Sequence, residues 1–178
     1  RHPNMPWDGT ELWIAEMQSD GTLANPALVA GGEHESIFQP AWSPDGTLYF
    51  VSDRTGWWNL YRLEQDGVEP LVPMEAEFGV PQWVFGLSTY AFESAGRIIC
   101  KYTKDGMDHL ASLDTRSKAF RPLQTPYTSL GNIQAAPGKV LFRGASPTHP
   151  ASLVLLDLTT GAHIVLKRAT AIEIDPGY

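Results

Sequence analysis

Pro40-Ala41-Trp42-Ser43-Pro44-Asp45-Gly46-Thr47-Leu48-Tyr49-Phe50-Val51 decides the fold. It reads as two short apolar strands joined by a tight turn. Pro44 presets the φ that the turn's first central position needs, and Asp45-Gly46 supplies residues that tolerate the reversal. Working downstream, Asn59-Leu60-Tyr61-Arg62-Leu63 forms a third strand and turns at Asp66-Gly67 into Val68-Glu69-Pro70-Leu71. The unit is thus four short strands in about 40 to 50 residues, the period of a β-propeller blade.

The outer half of this unit recurs. Glu11-Leu12-Trp13-Ile14-Ala15 leads to Leu28-Val29, His109–Asp114 leads to Phe120–Leu123, and Ser152–Asp157 leads to His163–Leu166. Leu12 and Leu60 lie 48 positions apart, and Leu113 and Leu156 lie 43 apart. The inner half recurs less often. Pro81-Gln82-Trp83 leads into Thr89-Tyr90-Ala91-Phe92, and Ile133 leads through Ala136-Pro137-Gly138 into Val140-Leu141-Phe142. Trp42 and Trp83 stand 41 positions apart at matching places, so both are expected to pack between blades. On the same basis an inner strand is expected near Phe38 to Trp42 and the next near Gln82 to Phe85. A β-sandwich also shows short strands and turns, but not a fixed Pro-x-Trp offset.

Four outer pairs and three inner pairs predict an all-β fold of about three and a half four-stranded blades over residues 1–168, with the first blade incomplete. Open blades leave unpaired strand edges, so self-association through those edges is expected. Opening on Arg1 with no apolar leader, the sequence is expected to be a piece of a longer chain.

Composition narrows the function classes. The formal charge is −7, and the 13 Lys and Arg are scattered, so no basic stripe suggests nucleic acid as a partner. No apolar run approaches the roughly 18 residues of a membrane helix, and no membrane partner is expected. Cys100 stands alone, so it forms no internal disulfide and fits a reducing, cytoplasmic compartment. The histidines His2, His34, His109, His149 and His163 fall in different repeats without metal-ligand spacing. No phosphate loop or calcium loop occurs, so no cofactor or metal is expected. Gly86-Leu87-Ser88-Thr89-Tyr90 and Gly144-Ala145-Ser146-Pro147-Thr148 lack the second glycine of a nucleophile elbow, so this chain is expected to be no enzyme by itself.

Trp42–Gly46 running through Tyr49-Phe50-Val51-Ser52-Asp53-Arg54-Thr55-Gly56-Trp57-Trp58-Asn59-Leu60-Tyr61 resembles the TolB-like propeller repeat. His2–Trp13 and Glu75–Gly86 are similar to the propeller of prolyl oligopeptidase family serine peptidases, in the dipeptidyl-aminopeptidase and acylaminoacyl-peptidase-like branch. The resemblance implies a non-catalytic, substrate-gating propeller beside a C-terminal α/β-hydrolase domain, with peptides as substrate and residues 169–178 as the linker toward that domain. The alternative is a freestanding TolB-like module that binds proteins or peptides. Glu75 and Glu77 are the candidate substrate-binding residues. In dipeptidyl peptidases of this family, propeller glutamates hold the substrate's amino group, although there the pair is adjacent, whereas here it is Glu-x-Glu between blades. The structural reading of the pair is one glutamate bonded to loop amides or to Arg54 and the other solvated. Arg54 itself is expected to tie its loop by charge-assisted hydrogen bonds.

Overall fold

The computed structural model of the protein describes residues 4–171. Fourteen strands are present among them and no helix. β1 (Glu11–Met17) and β2 (Leu23–Gly31) form a two-stranded antiparallel sheet. Three four-stranded antiparallel sheets follow. The first holds β3 (Ile37–Trp42), β4 (Leu48–Ser52), β5 (Asn59–Glu64) and β6 (Gly67–Pro70). The second holds β7 (Tyr90–Ser94), β8 (Arg97–Lys104), β9 (Met107–Asp114) and β10 (Phe120–Leu123). The third holds β11 (Ser129–Ala136), β12 (Lys139–Ser146), β13 (His149–Asp157) and β14 (His163–Arg168). Each sheet runs in sequence order, so these are propeller blades, three complete and one half, and they do not close into a ring.

The middle strands explain the stacking. Side chains alternate across a strand, so successive residues serve opposite faces. In β4, Phe50 joins Ile37 and Tyr61 against Ala30, Val29 and Leu12 of the two-stranded sheet. Its neighbours Tyr49 and Val51 join Phe38 and Leu60 against Tyr90, Ile98, Cys100 and Leu113 of the next sheet. One step on, Ile99 and Leu110 turn toward Leu130, Ile133, Val140, Phe142, Val154 and Leu156. All of β4 is buried for this reason, and β4 therefore reads as a continuous apolar run. Cys100 lies buried in β8, and burial pushes its thiol well above the usual range.

Polar side chains fix the inner strands to one another. A bulge in β3 puts Gln39 at φ 47°, and its amide crosses to the next blade. Gln39 Nε2 donates to Tyr90 O at 2.7 Å, Thr89 N donates to Gln39 Oε1 at 2.7 Å, and Tyr90 Oη donates to Gln39 O at 2.8 Å. β11 bulges at the matching place, with Asn132 at φ 54°. There Ile133 N donates to Ser88 O at 3.0 Å and the Ser88 hydroxyl donates to Ile133 O. A second lock joins the last two blades. Lys101 Nζ meets Asp108 Oδ1 at 2.9 Å, with both side chains largely buried, and Leu130 N donates to Asp108 Oδ2 at 2.7 Å. At the periphery, Arg62 Nη1 donates to Thr115 O at 2.7 Å and Lys118 Nζ pairs with Glu69 at 2.6 Å.

Three expectations need correction. The inner strand of the second complete blade is Tyr90–Ser94, and Gln82–Phe85 is loop. Trp42 and Trp83 do not pack between blades: they are 60% and 72% exposed. The physical reason is the same for both. The blade interface is filled by the central strands, whereas Trp42 ends β3 and Trp83 lies in a connection, beyond the reach of the neighbouring sheet. The second strand of that blade is Arg97–Lys104, and of the expected Thr89–Phe92 strand only Tyr90–Phe92 is strand, in the first position rather than the second. Of the expected linker, residues 172–178 lie outside the described residues.

Two outcomes check this architecture. Phe142→Ala, fully buried, should lose about 3–5 kcal/mol of unfolding free energy, whereas Trp42→Ala should change it by less than about 1 kcal/mol in urea titrations. Asp108 supplies the second. Burial pushes its carboxyl up, but the Leu130 amide, the Thr103 hydroxyl and the Lys101 ammonium outweigh burial and hold it below the ordinary value. A depressed folded value means stability is present above the unfolded pKa of about 3.9 and drains away as pH falls through the folded one. Asp108→Asn, which strands a buried Lys101, should cost about 3 kcal/mol at pH 7. The gap between variant and parent in urea midpoint should narrow below about pH 4.

Candidate functional site

In a four-stranded meander, the turn between strands two and three and the crossover to the next blade lie at the same end. That end carries the 53–58 hairpin, the 71–89 connection and the starts of β9 and β13. The candidate residues of the sequence gather here.

The 71–79 stretch is held tightly. Asn59, buried at the start of β5, donates through Nδ2 to Met74 O at 3.1 Å and accepts from Met74 N at 3.0 Å. Phe78 N donates to Trp58 O at 2.7 Å, and the backbone of Glu77 bridges that of Thr103 in β8. Gly79 packs so closely on Trp58 that a Cβ there would overlap the indole. Trp58 is half-buried, with its ring centroid 5.7 Å from that of Phe38, while Trp57 is exposed. The two tryptophans thus divide between core and rim, as strand alternation requires.

Within this frame, Glu77 Oε2 accepts from Trp58 N at 3.0 Å, and Oε1 has no partner among the described residues. Glu75 is exposed, and its carboxylate has no hydrogen-bond or ion-pair partner among the described residues. Neither glutamate meets Arg54. That guanidinium pairs with Glu35 instead, at 2.9 Å from both Nε and Nη2 to Oε1, and lies over the Tyr61 ring at 5.2 Å. Ser52 Oγ donates to the same Glu35 oxygen at 2.6 Å. Arg54 therefore ties its loop as expected. Its partner Glu35 escaped the sequence reading, because it sits 19 residues upstream in a blade crossover with no spacing signal.

The serines differ in surroundings. Ser88 serves the inner-strand lock described above. Ser146 Oγ lies 2.8 Å from His149 Nδ1 in the β12–β13 turn, where Thr148 Oγ1 also approaches at 3.1 Å. The pair is exposed, and no carboxylate bonds the imidazole among the described residues to orient it as a base. His109 stacks on Tyr102 at 5.1 Å. Among the described residues no group of three His, Cys, Asp or Glu is placed to hold a metal ion. Among the described residues no helix is long and apolar enough to cross a membrane. The remaining feature of this end is the Pro81–Leu87 loop, where Trp83, Val84 and Phe85 are all exposed and Trp83 meets Trp7 with ring centroids 4.3 Å apart.

No protein-family model matches the chain, and no curated protein matches it. Solved structures do. A puromycin-hydrolyzing peptidase of Mycobacterium tuberculosis is 36% identical over 98% of this chain, with a TM-score of 0.90. A puromycin hydrolase is 33% identical over 97% of it, with a TM-score of 0.87. Prolyl oligopeptidase B from Galerina marginata, at 13% identity and a TM-score of 0.70 over 97% of the chain, shares the fold. The chain spans about a quarter of the length of these proteins: 27%, 27% and 24%. By sequence the chain is similar to part of the puromycin-hydrolyzing peptidases, and its propeller fold is shared with prolyl oligopeptidase B.

Proposed function

We propose that the chain is the non-catalytic, substrate-gating propeller of a serine peptidase that hydrolyses peptides. The observation that carries this reading is the 36% identity to a peptidase propeller along 98% of the chain. A propeller beside a hydrolase domain limits substrate size and can add binding groups of its own. Its partners are then that α/β-hydrolase domain, reached through residues 169–178, and the peptide substrate. The nucleophile and its base belong to the hydrolase domain. The lone buried Cys100 supports a reducing, cytoplasmic setting. The far edge of β1, which pairs only with β2 among the described residues, supports self-association or strand capture.

Glu75 and Glu77 are the substrate-binding groups of this reading, holding the free amino terminus of a peptide. Glu77 is the stronger of the two because its backbone is fixed on both sides and one carboxylate oxygen is left over. Glu77→Gln separates charge from structure, since the amide oxygen still accepts from Trp58 N. In the full-length peptidase the substitution should raise KM about tenfold or more for peptides with a free amino terminus, the loss of one charge-assisted bond. KM for amino-blocked peptides should stay within about twofold, as that bond is absent from them. Equal effects on both substrate types, or none, would return the two glutamates to a structural role.

A further inference from the structure

Thr103 of β8 is gripped through its side chain and grips through its backbone. β7 pairs with β8 only from Arg97 to Cys100, and the Thr89 carbonyl adds one more bond, from Lys101 N at 2.8 Å. Past that point the edge of β8 is taken by the crossover from β6. Glu77 N donates to Thr103 O at 3.0 Å and Thr103 N donates to Glu77 O at 2.9 Å, an isolated antiparallel bridge. A single rung has no ladder to support it, so it is only as firm as the residue on its far side. The Thr103 side chain supplies that firmness. Its hydroxyl donates at 2.6 Å to Oδ1 of Asp108, the residue directly opposite in the β8–β9 hairpin. Both residues turn their backbone groups outward, Thr103 to Glu77 and Asp108 N to Thr128 O, and cross-strand pairs of this kind bring their side chains close. Asp108 is itself fixed by Lys101 Nζ at 2.9 Å and by Leu130 N of the following blade at 2.7 Å. The hairpin reverses at Asp105 and Gly106, φ 52° and 77°, one pair beyond Thr103, where strands would otherwise fray.

The carboxylate carried by this clamp is that of Glu77, whose Oε2 accepts from Trp58 N. Charge-assisted bonds weaken steeply as distance and angle drift, so a carboxylate that is to hold an ammonium group must first be held in place. We propose that Thr103, secured by Asp108, is a positioning residue that fixes Glu77 for the amino terminus of the substrate. This rests on the reading of Glu77 as the ligand of that amino terminus, and it goes further by naming what holds the carboxylate in place. Phe78 is the competing anchor, since it is buried with its ring centroid 5.7 Å from that of Tyr102. It secures the next side chain along, whereas the Thr103 rung holds both backbone groups of Glu77 itself.

The test uses the full-length protein and an uncleavable ketomethylene isostere of alanylalanine, with its amino group free or acetylated, and follows binding by calorimetry. Wild type should bind the free-amino form at least about tenfold more tightly. Thr103→Val keeps the shape and the strand preference but loses the hydroxyl. It should weaken the free-amino form about three- to fivefold and leave the acetylated form within about twofold. Thr103→Ser, which restores the donor, should bind as wild type does. In a Glu77→Gln background Thr103→Val should add less than about twofold, because no charge is left to place. Exchange of the Glu77 amide hydrogen should speed up at least about fivefold in Thr103→Val and stay unchanged in Thr103→Ser. These variants avoid Asp108→Asn, whose cost in stability would blur the result. Equal weakening toward both forms, undiminished weakening in the Glu77→Gln background, or an unchanged affinity or Glu77 exchange rate in Thr103→Val would overturn the positioning role. Failure of the amino-terminus reading shows instead in wild type, as no preference for the free amino group, and takes the positioning role with it. Binding needs no turnover, so a protein that shows the preference and loses it in Thr103→Val, yet cleaves no peptide, would sink the peptidase reading and leave the positioning role standing.

Discussion

Phe50 packs toward one neighbouring sheet, and Val51, next to it, toward the other. This two-sided burial is the constraint on which the rest of the structure depends. A sheet that buries both faces must have neighbours on both sides, so the unit cannot stand alone and the sheets stack. It also decides what the central strands can contain. Tyr49, Phe50, Val51, Ile98, Ile99 and Cys100 are all buried, and none brings a charge into the stack. Lys101, midway along β8, does carry a charge inward, and it is paired with Asp108 across the hairpin. Functional side chains are therefore pushed out to the connections.

The connections are not loose. In the crossover from β6 to β7, residues 71–79 are fastened by Asn59, Trp58 and Thr103, while Pro81–Leu87 is held by the Gln82 bond to Ile37 O, the Trp83 contact with Trp7 and the packing of Leu87 on the core. The first half presents the Glu77 carboxylate in a fixed place, and the second presents the exposed rings of Trp83 and Phe85. The inner-strand locks keep these parts in register. Gln39 ties β3 to Tyr90 at the end of that same connection.

Much of the fold was legible because two-faced burial writes itself into the sequence. β4 and β5 stand out as apolar runs between turn residues, and the four outer pairs repeat at nearly constant spacing. Reading failed where local pattern and burial parted. Pro40-Ala41-Trp42 and Pro81-Gln82-Trp83 look alike, but only the first is followed at once by the turn that starts the next strand. The second runs on to Gly86 before Tyr90 begins β7. β8, with Arg97 and Lys101 at its start and middle, was hidden by its charges. Lys101 is buried only because Asp108 waits across the hairpin, a pairing that no local rule announces. The site was legible to a smaller degree. The loop bearing Glu75 and Glu77 could be placed at a blade crossover, but Glu77 bonding to Trp58 N, Glu35 bonding to Arg54, and Trp7 meeting Trp83 are long-range contacts set by the stacking.

Stacking also sets how stability is distributed along the chain. The sheets of β3–β6 and β7–β10 are covered on both sides, whereas the outer two are covered on one. In β13 the record is direct: Val154 and Leu156 are buried, while Leu153, on the opposite face, is exposed. Ile164, Val165 and Leu166 of β14 are exposed as well, as are Trp13 and Met17 of β1. Each blade draws its stability from its own hydrogen bonds and from its neighbours' faces, so a sheet with one face bare has lost one of those contributions. Local opening should follow that order, reaching β1–β2 and β14 before β4 or β8. The crossover that carries Glu77 and Trp83 joins the two doubly covered sheets. The candidate site therefore sits on the best-supported junction of the structure, where a carboxylate can be held in place without help from the ligand it is proposed to bind.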